Sequence, residues 1–328
     1  MLSQQHIALI HALADGEFHS GEQLGEVLGV SRAAICKHIK QLQQYGLHCQ
    51  RISGRGYQLP GGLELLDSER ITAQLTKSEQ NKLMVLEIFS VLDSTNRKLL
   101  EEVRNQSGLI KAIFAEYQTA GRGRRARHWH GGFAKDLLFS LSWHFPQGVA
   151  AMTTLSLAVG VALLTTLQEF GFADLKIKWP NDIYAKNKKL AGILTELHID
   201  TVGCCQVVIG IGLNVELTEA IKAMISQPVI DCKSLYSGKL NRSELAGKLL
   251  SGQIQMLERF SRCGFEPFLA QWQAHDLLYG QPVMIYLGEE QVLGIAKGID
   301  SGGGLRVESA TAGIQIFHAG EVSVRTQI

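Results

Sequence analysis

The sequence contains no CxxC pair, no leader-like N-terminus and no excess of one charge sign. Its six cysteines are spread along the chain: Cys36, Cys49, Cys204, Cys205, Cys232 and Cys263. Because CxxC spacing is typical of zinc and redox sites, its absence favours inert thiols in a reducing compartment over either site. The N-terminal segment MLSQQHIALIHALADGEF lacks the charged start and small-residue cleavage site of a secretory signal. We therefore expect a cytoplasmic protein.

Charge and hydropathy argue against two further classes of protein. The 32 basic residues nearly balance 31 acidic ones, giving a net charge of +1, so any nucleic-acid binding must come from a local patch. One stretch, MTTLSLAVGVALLTTLQEF at 152–170, is about long enough to span a membrane. It also carries several threonines, a serine and the pair Gln168-Glu169. We interpret it as a helix buried within a large domain and expect no membrane partner.

The length of 328 residues predicts about two or three domains. We divide the chain into residues 1–62, 63–275 and 276–328. The predicted fold is α+β and multidomain: an N-terminal winged helix-turn-helix, a central mixed-sheet α/β domain and a small C-terminal SH3-like β-barrel. In the central domain we expect strands at 84–89, 112–117, 137–143, 175–179, 191–197 and 207–211, and helices at 69–75, 96–103, 152–170, 242–260 and 265–274.

The first sixty residues carry the helix-capping and helix-ending residues of a helix-turn-helix. Asp15-Gly16 ends a first apolar-periodic segment, and Ser20 with Gln23 forms a capping box for a second helix. Ser31 can cap a third helix, two residues after Gly29. The segment LHCQRISGRGYQLP then predicts a β-hairpin wing, followed by a Pro-Gly-Gly linker.

Polar residues lie off the apolar stripe of the third helix and on the wing. The DNA-contact candidates are Ser31, Arg32, Lys37, His38, Arg51 and Arg55. A helix placed in the major groove could bring such side chains to base edges or phosphates. The alternative is a solvated basic face on an interaction domain. Because a single head binds DNA weakly, we expect a dimer that reads two half-sites.

The loop GRGRRAR at 121–127 packs four arginines and two glycines into seven residues. Glycine lets a backbone approach an anion, and arginine offers planar, permanently charged donors for phosphate. The segment is neither a Walker A loop nor a dinucleotide fingerprint. A solvated or RNA-binding arginine-rich loop is the alternative. The position of the loop between two predicted core strands favours a structured anion site.

Three further motifs carry polar residues at strand ends. Ser94-Thr95-Asn96 opens a helix and suits either capping or recognition of a neutral urea or amide. GIGLN at 210–214 ends a strand and suits either a turn or close approach of a nucleotide.

The third of these motifs, KWPNDIYAKNKKLAGIL at 178–194, predicts three short strands with Asn181-Asp182 in the first turn and Lys188-Lys189 at the second. A solvated hairpin is one interpretation. A lysine that enters a buried strand is costly unless it is paired, which makes Lys189 the better candidate for a functional cation. We expect it to hold a reacting carboxylate and an α-phosphate.

These motifs occur in one order and spacing that resembles the biotin–protein ligase family. GRGRR followed by Trp129, STN, EYQ at 116–118, KWPND, KKLAGIL and GIGLN carry the resemblance, which extends over essentially the whole chain. With its N-terminal head, the chain is similar to the members that are also repressors of the biotin operon. The resemblance implies that ATP and biotin form biotinyl-5′-AMP, and that a lysine of the biotin carboxyl carrier protein of acetyl-CoA carboxylase then displaces AMP.

The resemblance also implies roles for individual residues, with Lys189 and Arg124 as the catalytic pair. Biotin would contact Ser94, Thr95, Asn96, Gln118, Gly121, Arg122, Gly123, Arg124 and Lys189. The nucleotide would contact Arg122, Arg124, Arg125, Trp129, Asn181, Lys189, Asn214 and Arg325. Mg²⁺ would be held largely by ATP, so no protein ligand is assigned. Biotinyl-5′-AMP would also act as corepressor, promoting a homodimer that binds the operator of biotin-synthesis genes.

The chain departs from the family pattern at two places in the loop. Ala126 stands where the family has glycine, and alanine disfavours a positive φ. His130-Gly131-Gly132 replaces a more usual Ser-Pro ending. Both departures concern loop dynamics rather than the reaction. Two rival hypotheses are a lipoate–protein ligase, disfavoured because no RRxSGGG-type segment is present, and a ligand-sensing repressor without catalysis, disfavoured by the presence of Lys189 and the arginines.

Overall fold

A computed structural model describes residues 2–102, 109–145, 153–199, 205–320 and 322–326. The side chains of Phe145, His198, Ile199, Cys205 and Thr326 are not described. Cys204 lies outside the described residues, as does the end of the helix predicted at 96–103. Across these ranges, no helix is both long and apolar enough to cross a membrane.

The N-terminal head has the predicted three helices and wing. Its elements are α1 (Gln4–Leu13), α2 (Gly21–Leu28), α3 (Arg32–Leu42), β1 (Gln50–Ile52) and β2 (Gly56–Gln58). The capping box of Ser20 and Gln23 is present, and Gly29 ends α2 with a left-handed φ of 65°. Ser31 caps α3 by accepting from the Ala34 amide. The capping residues therefore set both ends of the turn between α2 and α3.

The middle domain is built on a seven-stranded mixed sheet of order β3-β4-β5-β9-β8-β7-β6. Its strands are β3 (Leu83–Phe89), β4 (Ile110–Ala115), β5 (Asp136–Phe145), β6 (Leu175–Lys178), β7 (Asp182–Ala185), β8 (Lys188–Ile199) and β9 (Cys205–Asn214). The β3–β4 pair is parallel, and the other neighbouring pairs are antiparallel. The predicted mixed sheet and its strands are confirmed.

Eight helices of the described residues flank this sheet. They are α4 (Ser68–Thr72), α5 (Lys77–Lys82), α6 (Thr95–Glu102), α7 (Leu155–Phe170), α8 (Glu219–Met224), α9 (Cys232–Leu235), α10 (Arg242–Cys263) and α11 (Glu266–Ala274). Most of α7 is buried, and it packs with the apolar face of α10 in the main core. The stretch weighed above as a membrane span is thus a core helix, as predicted, from its first described turn onward.

The C-terminal part is a five-stranded antiparallel sheet of order β13-β12-β11-β10-β14. Its strands are β10 (Pro282–Leu287), β11 (Glu290–Ile299), β12 (Leu305–Ser309), β13 (Gly313–Phe317) and β14 (Ser323–Thr326). A register shift between Ala296 and Ile299 bends β11. The predicted small β domain is confirmed, while its SH3-like closure stays a prediction. The predicted boundaries after residues 62 and 275 fall between helices and strands, and the domain limits also stay predictions.

The head and the middle domain share one apolar cluster. Phe133 and Ala134, which follow the arginine loop, are buried in the cluster that forms the core of the head. Tyr117 stacks near Phe133 with ring centroids 6.4 Å apart and meets Tyr45 of the head edge-on at 5.9 Å. The segment after the loop therefore completes the core of the head.

Candidate functional site

One cavity collects most of the predicted site residues, from the strands β8 and β9, the helix α6 and the loops around them, including the arginine loop. From the predicted set, it is lined by Ser94, Thr95, Asn96, Gln118, Arg122, Gly123, Arg124, Arg125, Trp129, Asn181, Lys189 and Asn214. Val322, Ser323 and Val324 close it from the C-terminal sheet. The site is thus a cleft between the middle domain and the C-terminal domain, a usual place for a small-molecule site.

Two predicted residues do not line this cavity. Gly121 lies just behind it, where a Cβ would come within 3.2 Å of Gln118 Nε2. Arg325 is exposed on β14, and its guanidinium lies 5.2 Å from the centre of the Tyr286 ring. Its neighbours on that strand, Ser323 and Val324, are the ones that line the cleft.

The floor of the cleft is a chain of hydrogen bonds between small polar side chains. Gln118 Oε1 accepts from the Thr95 amide at 2.7 Å and from Thr95 Oγ1 at 3.1 Å. Ser140 Oγ lies 2.7 Å from Thr95 Oγ1 and 2.5 Å from Asn96 Oδ1. Because the oxygen of Gln118 is engaged, its amide nitrogen is the group left for a ligand. Such a floor suits a neutral group with both donors and acceptors.

Asn96 is tied to the sheet rather than left free. Its Nδ2 donates to Leu194 O at 3.2 Å and to Glu196 Oε2 at 2.8 Å. Glu196 Oε2 also accepts from Arg122 Nη2 at 2.8 Å. A helix residue and a loop residue therefore meet on one carboxylate of β8.

The arginine loop folds over the cleft as a tight turn. A short 3₁₀ segment covers Arg124–Ala126, and Arg125 and Ala126 both have left-handed φ angles, 57° and 56°. Ala126 therefore adopts the positive φ that alanine is expected to disfavour. A left-handed φ is strained for any residue with a Cβ. The loop therefore stores strain at the position where the family pattern has glycine.

Arg124 connects the loop to both sides of the cleft. Its Nη1 donates to Asn181 Oδ1 at 3.2 Å, and its Nη2 donates to the carbonyl of Ala319 in the C-terminal domain. Burial lowers the pKa of Arg124 from its usual range, and the charge of Asp182 partly opposes this. A half-buried, partly desolvated guanidinium interacts more strongly than an exposed one with an anion that enters the cleft.

Trp129 fills the centre of the cleft because two glycines make room for it. A Cβ at Gly212 would lie 2.8 Å from the indole ring, and a Cβ at Gly192 would lie 3.2 Å from it. The indole Nε1 is buried without a hydrogen-bond partner among the described residues. Lys189 Nζ lies 5.9 Å from the centre of the ring. The second glycine of GIGLN and the glycine of LAGIL therefore allow close packing of the indole.

Lys189 is paired, as a lysine in a buried strand must be. Its Nζ lies 2.8 Å from Asp182 Oδ1 on the neighbouring strand. Lys188 and Lys189 begin β8 rather than lying in the turn, which is formed by Lys186 and Asn187 with positive φ. The predicted turn is thus two residues too late, and the choice of Lys189 over the exposed Lys188 agrees with the burial.

A second cation in the cleft has no acidic hydrogen-bond partner among the described residues. Lys178 Nζ lies 5.1 Å from the centre of the Tyr184 ring and 3.5 Å from its hydroxyl. Burial lowers the pKa of Lys178 and raises that of Tyr184. With Arg124, Lys178 and Lys189, the cleft carries more positive than negative charge and suits a polyanion.

Asn214, at the end of GIGLN, forms hydrogen bonds to the backbone. Its Nδ2 donates to the carbonyls of Lys189 at 3.3 Å and Ile230 at 3.0 Å. It therefore fixes the backbone at the start of β8 while lining the cleft.

The DNA-contact candidates of the head are mostly exposed. Ser31, Arg32 and Lys37 lie on the outside of α3, and Arg51 and Arg55 lie on the wing. The two wing arginines lie over aromatic rings, Arg51 over Tyr57 at 5.8 Å and Arg55 over Phe18 at 4.1 Å.

His38 is the exception among these candidates. It is half-buried, and its Nδ1 lies 3.1 Å from His6 Nε2 on α1. Burial lowers the pKa of His38, and the charges of His6 and Lys37 add to this.

Comparison with known proteins identifies the chain. Residues 88–214 match the model of the biotin/lipoate A/B protein ligase family, residues 5–58 an HTH domain, and residues 279–325 the biotin protein ligase C-terminal domain. The chain is 40% identical over 321 residues to the bifunctional ligase/repressor BirA of Salmonella typhimurium, covering 98% of this chain and 97% of the relative. The chain belongs to the bifunctional ligase/repressor family. The resemblance seen in the sequence is therefore confirmed.

A second bifunctional ligase/repressor and a solved ligase structure are also similar to this chain. The relative in Escherichia coli is 39% identical over 98% of this chain and 97% of its own length. The structure of the biotin protein ligase from Aquifex aeolicus in complex with biotin and ATP superimposes with a TM-score of 0.62 at 29% identity, covering 75% of this chain and 99% of the other.

Several site residues were missed from the sequence. Asp182 was noted only as part of a turn, and Ser140 and Glu196 were not singled out. Lys178 was quoted within its motif without a role. A polar residue inside an apolar strand was the available signal for Ser140 and Glu196, since a buried polar group needs a partner.

Proposed function

We propose that this ligase/repressor activates biotin with ATP and transfers it to a lysine of the biotin carboxyl carrier protein of acetyl-CoA carboxylase. In the first step a biotin carboxylate oxygen attacks the α-phosphorus, the bond to the leaving pyrophosphate breaks, and biotinyl-5′-AMP forms. In the second step the neutral carrier amine attacks the acyl carbon, AMP leaves with the electron pair of the broken bond, and the amine gives up a proton.

The observation that carries this proposal is the division of the cleft into a neutral and a cationic half. Thr95 and Gln118 offer the neutral half hydrogen-bonding groups that suit the ureido group of biotin. Arg124 and Lys189 line the other half, which suits the carboxylate and the phosphates. An acid and a nucleotide bound across this division bring the two reacting groups together.

The roles of the residues follow from that division. Biotin contacts Ser94, Thr95, Asn96, Gln118, Arg122, Gly123, Arg124 and Lys189, and Gly121 supports Gln118 from behind the cavity. The nucleotide contacts Arg122, Arg124, Arg125, Trp129, Asn181, Lys189 and Asn214, and Arg325 reaches it from β14 once its side chain leaves the ring of Tyr286.

The charges of the cleft supply the catalysis. A carboxylate that attacks a triphosphate brings like charges together, and buried cations lower that barrier more than exposed ones can. Lys189 lines the cationic half, and its ammonium would move partly from Asp182 to the reacting oxygens. Arg124 would hold the loop closed while it faces the same oxygens. No protein nucleophile takes part.

We propose that Mg²⁺ enters with ATP. Within the described ranges, no three His, Cys, Asp or Glu side chains come together as a metal cluster. Mg²⁺ commonly binds substrate phosphates and keeps several waters, so it fits a site with few protein ligands. Bound there, it would screen the phosphate charges during adenylation.

We further propose that biotinyl-5′-AMP is the corepressor of a cytoplasmic, ligand-promoted homodimer. The dimer would bind the operator of biotin-synthesis genes through two heads, using Ser31, Arg32, Lys37, His38, Arg51 and Arg55. The match of residues 5–58 to an HTH domain and the exposed basic side chains support this. Operator affinity measured at fixed salt should rise when biotin and ATP are both added; unchanged affinity contradicts the corepressor role.

The catalytic proposal is tested by transfer of labelled biotin to a purified carrier domain. We expect label on the carrier lysine only when ATP and Mg²⁺ are present. A folded protein that transfers no label would support a ligand sensor without catalysis. Lipoate in place of biotin serves as the second substrate, and label from lipoate alone would support a lipoate-type ligase.

A further inference from the structure

Glu196 is a charged residue in the interior of β8, and the roles assigned above leave it out. Its side chain is 24% exposed, and that of its ion-pair partner Arg122 is 34% exposed. It lies two residues beyond Leu194, which lines the cleft. A carboxylate in such a strand needs partners to offset its lost hydration.

Both partners of Glu196 line the cleft and belong to the proposed biotin contacts. A single oxygen, Oε2, accepts from Arg122 Nη2 and from Asn96 Nδ2, each at 2.8 Å. Arg122 belongs to the arginine loop and Asn96 to the start of α6. One carboxylate therefore fixes the loop relative to the helix that carries the polar floor.

The guanidinium of Arg122 is held on one side and unsatisfied on another. Its Nη2 is engaged by Glu196, while its Nε is buried without a hydrogen-bond partner among the described residues. Arg122 also lines the cleft. A buried donor without a partner raises the free energy of the folded protein. A ligand oxygen that accepts a hydrogen bond from this donor removes the penalty and is bound more tightly. Clamping Nη2 sets the direction in which Nε–H points.

The side-chain amide of Asn96 links Glu196 to the polar floor of the cleft. Its Nδ2 donates to Glu196 and Leu194, and its Oδ1 lies 2.5 Å from Ser140 Oγ. Gly210 is needed beside it, because a Cβ there would lie 2.1 Å from Asn96 Oδ1. Ser140 has one hydroxyl proton, and the orientation of the amide determines whether that proton is donated to Asn96 Oδ1 or to Thr95 Oγ1.

We propose that Glu196 is a positioning residue of the acid-binding site: it clamps Arg122 so that Nε–H faces an oxygen of the bound acid, and it orients Asn96 beneath the polar floor. This inference rests on the proposed function and adds to it a residue that acts through Arg122 without touching the substrate. Because the ion pair is partly solvated, we expect its loss to weaken binding of the acid moderately and to leave binding of the nucleotide unchanged.

The test is Glu196→Gln, which keeps the shape and the hydrogen bond to Asn96 but removes the charge. We expect the KM for biotin to rise about tenfold in the adenylation reaction, with the KM for ATP within about twofold of wild type. Glu308→Gln serves as the matched control, because it removes the carboxylate of an ion pair with Lys297 on the C-terminal sheet. The control should leave both KM values unchanged.

A double-mutant cycle separates positioning from a general structural role. In an Arg122→Ala background, Glu196→Gln should change the KM for biotin by less than about twofold. Full additivity of the two substitutions would overturn the proposal, as would a Glu196→Gln variant with the wild-type KM for biotin. A wild-type protein that forms no biotinyl-5′-AMP would instead overturn the proposed function. Thermal unfolding of each variant verifies that it is folded, and Gln rather than Ala is used to protect the fold.

Discussion

Lys189 Nζ lies 2.8 Å from Asp182 Oδ1, across adjacent antiparallel strands at the centre of the cleft. The pair explains how a lysine is tolerated in a largely buried strand, since its charge is compensated before any ligand arrives. It also gives the phosphates of a nucleotide a cation that is already held in place, which lowers the reorganisation needed during reaction.

Replacing Lys189 therefore removes the central cation and leaves Asp182 unpaired. We expect Lys189→Ala to lower the rate of biotin adenylation by about 100-fold or more, as measured by pyrophosphate release. The matched control is Lys188→Ala, which removes the exposed neighbouring lysine and should stay within about twofold of wild type. Full activity in Lys189→Ala would remove this residue from the mechanism.

Ala126 is a point of strain in the arginine loop. Its left-handed φ of 56° costs alanine about 1 kcal/mol or more relative to glycine. Ala126→Gly should lower the free energy of the closed loop and slow the release of biotinyl-5′-AMP about threefold. Glycine also increases the conformational entropy of the open loop, and this offsets part of the gain. Release is followed by stopped-flow fluorescence. Ala120→Gly, just before the loop, should give no such slowing, and faster release from Ala126→Gly contradicts the strain account.

Phe133 joins the arginine loop to the head. Only 3% of its surface is exposed, and it packs in the apolar cluster of the head. Phe133→Ala should destabilise the head helices by about 3 kcal/mol, read from hydrogen exchange of their amides. The surface control Ile314→Ala, on the exposed face of β13, should change that stability by less than about 0.5 kcal/mol. Equal effects of the two would mean that the shared cluster contributes nothing to the head.

Asp136 makes stability depend on pH. Burial raises its pKa to about 8, although the charge of Arg242 and the Gly132 amide favour ionisation. Since the folded state binds the proton more tightly than the unfolded state does, this contribution to stability is present below the ordinary aspartate range and is lost as pH rises from about 4 to about 8.

Asp136→Asn should therefore be more stable than wild type at pH 8, with the difference shrinking toward pH 5. Melting temperatures across that range test the prediction, and a constant difference would contradict it. The control is Asp67→Asn, which makes the same change of residue at the exposed N-cap of α4. Its difference in melting temperature from wild type should stay constant between pH 5 and pH 8.

Much of the fold was predictable because it depends on local patterns. The Ser20 capping box, the long apolar run of α7 and the Ser53-Gly54 hairpin each specify an element from neighbouring residues. The turn before Lys189 was misplaced by two residues because its positive φ angles fall on Lys186 and Asn187 rather than on glycine. Turn chemistry gives a weak signal when residues with side chains adopt the left-handed region.

The site was predictable where its chemistry lies in compact motifs, and not where it depends on distant partners. Lys189 and the arginine loop stand out in the sequence for their residue types, whereas Gln118 was assigned through the family resemblance. Glu196 acquires its role only by meeting Arg122 from a strand 74 positions away. The burial of Phe133 against the head likewise follows from tertiary packing that no local pattern encodes.

The central claim is that the cleft makes and keeps biotinyl-5′-AMP. The most direct measurement is native mass spectrometry of the purified protein after incubation with biotin, ATP and Mg²⁺. The account predicts a retained mass equal to biotinyl-5′-AMP that is absent when ATP is omitted and is lost on addition of the carrier domain. A folded protein that retains no adenylate, or retains one formed from lipoate but not from biotin, would contradict it.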